Sequence, residues 1–388
     1  MKTDRFRRSI AFFVHPVLRF PRNNRQYYLT EELLSRGWHV LWLVPESGKN
    51  EGVPVEEYIL RYKDLDVRGR TYFLPLHLGF MLRARGIKYF WLSGWVFTRF
   101  EEIYWLVRIM GMFGIETIYD PIDPICEFKS ANRELTDPGE ISECHRTMNR
   151  IYALCTKVLC VTPEMKSLLA RNGADASRLF VARWGADAAV FDSSKIKGDF
   201  RKRMQIADST VLVGWLGSMT AFKGLKEIII PLVERLAARD NIHFLLAGDG
   251  PLFKEIEAWA LSSCNSKVAL SGRLPYEEAA EFTTALDAYL VPTDPDSDYA
   301  RAICPVKCYD SLAAGTPLVT TRTPATEHLA NIAGNVWLCD YDIGSFEKAL
   351  LHIAENIEAV RKSRSVAVKG CVTHQDVSRV IADMFDEL

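Results

Sequence analysis

Short apolar runs alternate with amphipathic stretches along almost the whole of this sequence, and that alternation limits the fold more than any other feature. In the first half, Ser9–Val14, His39–Val44, Glu116–Tyr119, Val158–Val161 and Leu179–Ala182 read as strands, with helical patterns such as Gln26–Ser35 and Pro163–Arg171 between them. The second half repeats the scheme more cleanly. Its strands fall at Val211–Leu216, Ile242–Ala247, Val268–Leu270, Ala288–Val291, Pro317–Thr320 and Asn335–Leu338. Its helices cover Leu225–Ala238, Leu252–Leu261, Tyr276–Ala285, Val306–Ala314 and Ser345–Ala354. Strand and helix in alternation predict parallel sheets with helices on both faces. The 388 residues suffice for two such domains. A polar, charged stretch from Asp187 to Gln205 reads as the connection between them. The expected architecture is α/β: two doubly wound, Rossmann-like domains facing a cleft, over residues 1–190 and 208–370, joined by a linker at 191–207. Such sheets bind ligands beyond the carboxyl ends of their strands, so the loops there hold the candidate sites.

Composition narrows the function. Apolar residues make up 48% and charged residues 25%, which excludes a disordered or low-complexity chain. The 48 basic and 49 acidic residues nearly cancel, so no global field seeks nucleic acid. The balance is uneven: residues 1–190 carry a net charge of +5 and the remainder −6. Nine cysteines without a CxxC pair read as unpaired thiols, which suits a reducing cytoplasm. The run Ser9–Val14 is too short for the apolar core of a signal peptide, and the ten residues Tyr89–Thr98 are too few for a span, which needs about 20.

Three motifs carry chemistry. In GWLGSMTAFKG (Gly214–Gly224), a glycine-containing strand-to-helix loop lets backbone N–H groups approach a phosphate, and Lys223 adds a compact positive charge. LAGDGPL (Leu246–Leu252) places a GxG after a strand, but Phe253 stands where a dinucleotide fingerprint has its third glycine. ICPVKCYDSLAAGTPLVTT (Ile303–Thr321) is the most specific. Pro305 suits a first helical turn, Gly315 a left-handed helix end, and Pro317 the start of the next strand. Free N–H groups near Pro305 would favour a phosphate, while Asp310, further along the helix, could accept two hydrogen bonds from a ribose diol.

These segments, with ALSGRLPYEE between them, resemble in order and separation the donor domain of a GT-B glycosyltransferase, most of all the retaining family 4. The resemblance covers about residues 208–340 and is weaker before them, where RWGAD (Arg183–Asp187) is similar to the stretch that precedes the family's linker. It implies a sugar transferred from a UDP- or GDP-linked donor to a glycan or lipid-linked acceptor, with retention and with no metal or cofactor. It also implies that Lys223 contacts phosphate, that Asp310 binds ribose, that Gly272, Arg273 and Leu274 hold the base, and that residues 371–388 form a helix crossing back to the first domain. Gly217, Ser218, Gly248, Ala302, Ile303, Cys304 and Pro305 complete the expected donor set. Three features depart from the family: Ser218 stands where arginine is usual, Ala302 replaces the first glutamate of a pair, and HPVLRFPRNNRQ stands where a glycine-rich loop follows the first strand. The same fold also serves sugar-nucleotide epimerases, and the two replacements leave open a protein that binds a nucleotide sugar without turnover.

In the first half, His15, Arg22 and Arg25 follow the first strand, and the two arginines could supply the charge missing at Ser218. Asp120 and Asp123 of DPID follow another strand and could orient or deprotonate an acceptor hydroxyl. The catalytic candidates are thus Lys223, Asp120, Asp123 and His15. DPDSD (Asp294–Asp298) has the carboxylates for Mg²⁺ or Mn²⁺, but it lies immediately before the helix-start motif, where this fold carries a variable loop. Residues 79–113 are unusually aromatic. With Arg83, Arg85 and Lys88 nearby, and with Phe100, Ile103, Tyr104 and Val107 on one helical face, they suit a helix lying in a bilayer interface. Peripheral contact with the cytoplasmic face of a membrane is the corresponding expectation.

Overall fold

The structure, a computed structural model, describes residues 8–13, 25–45, 59–62, 73–94, 100–191, 200–263, 267–367 and 373–388. The first sheet contains β1 (Ser9–Phe13), β2 (His39–Pro45), β3 (Ile59–Tyr62), β4 (Tyr89–Ser93), β5 (Glu116–Asp120), β6 (Lys157–Cys160) and β7 (Leu179–Val181). The second contains β8 (Val211–Ser218), β9 (Ile242–Asp249), β10 (Val268–Gly272), β11 (Ala288–Val291), β12 (Leu318–Thr321) and β13 (Val336–Cys339). The orders are β3-β2-β1-β4-β5-β6-β7 and β10-β9-β8-β11-β12-β13, and every pairing is parallel. Each order reverses once, between β1 and β4 and between β8 and β11. The chain divides into two compact units. One comprises Met1–Ser130, Leu135–Arg183 and His374–Leu388; the other comprises Ala131–Glu134 and Trp184–Thr373.

In the first unit, the ring of Phe12 lies 5.4 Å from that of Trp42 and 5.7 Å from that of Trp91, all three within the core. The aromatic stretch Tyr89–Ser93 is therefore a central strand. Of the helical face expected at a bilayer, Ile103 and Val107 are instead buried. The helix Phe100–Met112 turns Ile103 and Val107 inward with Leu106, Ile109 and Met110, because its apolar face has a sheet to cover. The apolar residues left exposed are different ones: Leu76, Phe80, Trp105 and Met112. A second correction concerns the cysteines. Cys126 and Cys144 form a disulfide with Cα atoms 5.8 Å apart, joining the helices Ile125–Ala131 and Pro138–Tyr152. Eighteen residues of separation carry no spacing signature, so the pair is invisible in the sequence. Cys155, Cys160, Cys304, Cys308 and Cys339 are free and buried. Among the described residues, no helix is long and apolar enough to cross a membrane.

The terminal helix His374–Glu387 belongs to the first unit, where it packs along the helix Arg25–Ser35. Phe385 fits its ring against Trp38 and Tyr89, each at 5.3 Å, and Arg36 holds Glu32, Asp383 and Asp386 at 2.7–2.8 Å. The ion pairs are partly exposed and contribute little; the buried ring fixes the helix. Phe385→Leu is expected to lower the unfolding free energy by about 1–2 kcal/mol, read from the urea midpoint at unchanged m-value.

The second unit packs Val213, Trp215, Leu232, Phe244, Leu290 and Phe346 in one core. The five helices read there from the sequence are present, one of them with a local change, and Ile357–Ala367 is a further helix that the sequence reading does not include. The segment after Gly224 opens as a wide turn, Leu225–Ile229, and becomes an α-helix only at Ile230–Leu236. Pro231 explains this. Its ring cannot donate to the preceding turn and would crowd the carbonyl of Glu227, so the backbone widens ahead of it.

Candidate functional site

The site is built from strand ends in the second unit, around the reversal between β8 and β11. Parallel pairing carries β8 and β9 in register to Gly217 opposite Gly248 and Ser218 opposite Asp249. Gly248 has φ 139°, and a Cβ there would overlap the carbonyl oxygen of Gly217. Gly250 has φ 150°, and a Cβ there would lie 2.7 Å from the carbonyl oxygen of Met219. The glycines of LAGDGPL thus let the loop after β9 close on the loop after β8.

After Met219 the chain makes a tight 3-10 turn, Ala221–Lys223, and Gly224 reverses it in the left-handed region at φ 65°. Phe222 anchors the turn edge-to-face on Tyr299, with ring centroids 5.3 Å apart. The ammonium of Lys223 lies over both rings, 4.4 Å from the Phe222 centroid and 5.9 Å from that of Tyr299. Tyr299 belongs to the short helix Asp298–Ala302, so Lys223 is brought to the segment Ala302–Pro305 that leads into the helix Val306–Ala313. Ala302, Ile303 and Cys304 are buried, and Pro305 stands at the N-cap, one position ahead of the expected first turn. Gly315 ends this helix at φ 68°, as its sequence predicts.

Two charged residues of this helix face the same region. Asp310 is buried; burial and the nearby Asp187 hold its carboxyl well above the usual range, and Lys307 opposes them. Asp187 accepts from the backbone N–H groups of Ala189 and Val190, at 3.0 and 3.3 Å, so it also shapes the turn that follows it. Lys307 donates to the carbonyl oxygen of Leu216 at 2.6 Å, and its ammonium lies 5.2 Å from the Trp215 ring. Burial pushes its pKa down to about 7; Lys223 acts in the same direction, against Cys308 and Asp310. At the end of β10, Gly272 has φ 66° with open space where a Cβ would be, Arg273 is exposed, and Leu274 packs against the cluster containing Phe282 and Tyr289. Ser218 is exposed at the tip of β8.

The structure therefore groups Gly217, Ser218, Lys223, Gly248, Ala302–Pro305 and Asp310 around adjoining strand ends, with Gly272–Leu274 at the end of β10. Sequence reasoning left out Lys307, although it lies inside the quoted motif. Its signal was the i, i+3 spacing to Asp310, which places both charges on one helical face.

In the first unit, His15 and Arg22 lie outside the described residues. Arg25 is fully buried, with its Nε 3.4 Å from Asp120 and its Nη1 donating to the carbonyl oxygen of Ala182 at 3.2 Å. Asp120 is likewise buried, and that burial raises its pKa while Arg25 opposes the shift. These two residues hold each other inside the fold. Asp123 is partly exposed beyond Ile122, whose φ of 70° is strained for a β-branched residue. In DPDSD, Asp294 accepts from the backbone N–H of Asp296 at 2.9 Å, making a local turn. Among the described residues, no three His, Cys, Asp or Glu side chains group as metal ligands.

Two parallel sheets, each with a single reversal, define the class by fold: it is GT-B. Residues 210–356, all within the second unit, match the family described as Glycosyl transferases group 1. The chain is similar to the alpha-monoglucosyldiacylglycerol synthase of Streptococcus pneumoniae, with 20% identity over 202 residues, covering 50% of this chain and 44% of that protein. It is also similar to the 2-deoxystreptamine glucosyltransferase of Streptomyces kanamyceticus, with 28% identity over 108 residues, covering 28% of this chain and 26% of that protein. The matched segments thus span less than half the length of these curated relatives. Among solved structures, Anabaena Alr3699/HepE in complex with UDP and glucose superposes with a TM-score of 0.72 at 13% identity, covering 98% of this chain and 99% of that one.

Proposed function

We propose that this chain is a metal-independent glycosyltransferase that moves a sugar, with retention, from a UDP- or GDP-linked donor to a glycan or lipid-linked acceptor. The observation that carries the reading is the convergence of Lys223, Asp310 and glycine-closed strand ends at the β8–β11 reversal of a glycosyl transferase group 1 domain. In this reading Asp310 takes the ribose hydroxyls and Gly272–Leu274 take the base. Lys223 and the backbone N–H groups beyond Pro305 stabilise the leaving diphosphate as its charge develops. The UDP complexes of the structural neighbour favour a UDP-sugar.

The acceptor side is assigned to the first unit, with Asp123 as the candidate base; Asp120, enclosed with Arg25, holds that unit's fold. The lipid product named for the pneumococcal relative supports a lipid acceptor. So do the exposed Phe80, Trp105 and Met112, which share two neighbouring helices and their ends with Arg83, Arg85 and Arg108. Together they favour peripheral contact with the cytoplasmic face of a membrane.

A thermal-shift and mass-spectrometric panel of UDP-, GDP- and ADP-sugars, with and without EDTA, tests the reading. One nucleotide class is expected to raise the melting temperature by several degrees in EDTA and to be slowly hydrolysed. Asp310→Ala is expected to weaken that nucleotide by about 10- to 100-fold through loss of its hydrogen bonds to the ribose hydroxyls. Absence of any shift contradicts the site; a shift that needs metal directs attention to DPDSD; release of an epimerised sugar favours an epimerase; binding without turnover, even with lipid extract, favours a binding protein.

A further inference from the structure

We propose that Lys307 is a second diphosphate-binding cation of the donor site, standing in for the charge that Ser218 lacks. This rests on the donor-site reading above. Lys307 leaves the first turn of its helix and crosses to the end of β8, where its ammonium bonds the Leu216 carbonyl oxygen at 2.6 Å and lies against the Trp215 ring. It occupies the side of Gly217 where any Cβ would meet Nζ, so the glycine makes room for the ammonium. The next residue, Ser218, is exposed and uncharged. Arg25, proposed from sequence for the same charge, is enclosed with Asp120 in the first unit. Lys307 is thus, among the described residues, a cation placed at the strand end itself.

The surrounding charges fit an anion that arrives with the substrate. Lys223, from the turn after β8, repels Lys307; Asp310 and Cys308, from its own helix, oppose that repulsion, and Asp187 faces Asp310 from the turn beyond β7. Two lysines that repel each other at a partly buried site gain from a polyanion that joins them. With its pKa held near 7, Lys307 is largely neutral at about pH 8, so a diphosphate that restores the ammonium draws a proton from solution.

Calorimetric titration of UDP-glucose and GDP-mannose at about pH 8, in two buffers of different ionisation heat, tests this, because the diphosphate diester of a sugar nucleotide does not itself titrate there. Wild type is expected to take up about half to one proton per nucleotide bound, with affinity falling as pH rises from about 7 to 9. Lys307→Met is expected to bind about 10- to 100-fold more weakly at neutral pH, without proton uptake. Lys307→Arg, always charged, is expected to bind without uptake and with affinity independent of pH, and it covers the case in which the methionine variant fails to fold. Wild-type binding with no proton exchange overturns the assignment of Lys307 alone, as does unchanged affinity and uptake in Lys307→Met. No binding heat with either nucleotide overturns the donor-site reading and this assignment with it.

Discussion

Asp287→Ala is expected to lower the unfolding free energy of the second unit by about 3–5 kcal/mol, read by urea denaturation at neutral pH. Asp287 is almost fully buried just before β11, and three arginines converge on its carboxylate: Arg201 at 3.1 Å, Arg361 at 2.8 and 2.9 Å, and Arg364 at 3.2 Å. The backbone N–H of Leu212 adds a bond at 2.9 Å. The arginines come from the helices Phe200–Arg203 and Ile357–Ala367, so one carboxylate fastens two helices to the start of β8. Burial alone would raise its pKa, but these donors outweigh burial and hold it below the usual carboxylate range. Removing the carboxylate would leave three guanidinium groups partly buried without their shared counter-charge. Because the folded pKa is depressed, this stabilisation is complete above the unfolded value of about 3.9 and is lost as pH falls through the lower folded value. The gap between wild type and Asp287→Ala is therefore expected to close in strong acid.

Gly248→Ala is expected to reduce nucleotide affinity by more than about 100-fold and to cost about 2–4 kcal/mol of stability. Two effects act together. Gly248 has a φ of 139°, which L side chains rarely adopt, and its Cβ would meet the carbonyl oxygen of Gly217, which belongs to backbone and cannot rotate away. Relief requires the β9 end to move off the β8 end, which displaces the loop that carries Ser218 and Lys223. Gly272→Ala makes the comparison: a Cβ at Gly272 meets nothing within 4 Å, so only its φ of 66° is strained. Gly248→Ala should therefore be the more damaging in both binding and melting temperature. Equal effects would show that backbone strain rather than strand closure sets the cost.

Much of this was legible in the sequence, and the exceptions have physical reasons. In the second unit, apolar runs buried on both faces kept their strand identity, and Gly315 marked its helix end correctly. The first unit was harder. Tyr89–Ser93 reads as an aromatic patch until the flanking strands are seen to enclose it, and Ile59–Tyr62 is a four-residue strand with a charge inside it. From the sequence Arg25 reads as a loop cation for a phosphate, whereas it begins a helix and is buried against Asp120. A pairing across a sheet leaves no local spacing to read. The donor-site residues were found because they share one motif-dense stretch. Lys307 was passed over because a lysine on a helix is usually solvated, and only the fold shows that its helix points it at a strand end. The Cys126–Cys144 pair depends on how two helices pack, which no periodicity reveals.

Hydrogen exchange with and without a saturating UDP-sugar tests the central claim most directly. The account predicts slower exchange in residues 216–224, 248–252, 272–274 and 302–310, and loss of that protection in Asp310→Ala. Protection confined to the first unit, or absent from these strand ends while the nucleotide is bound, would contradict it.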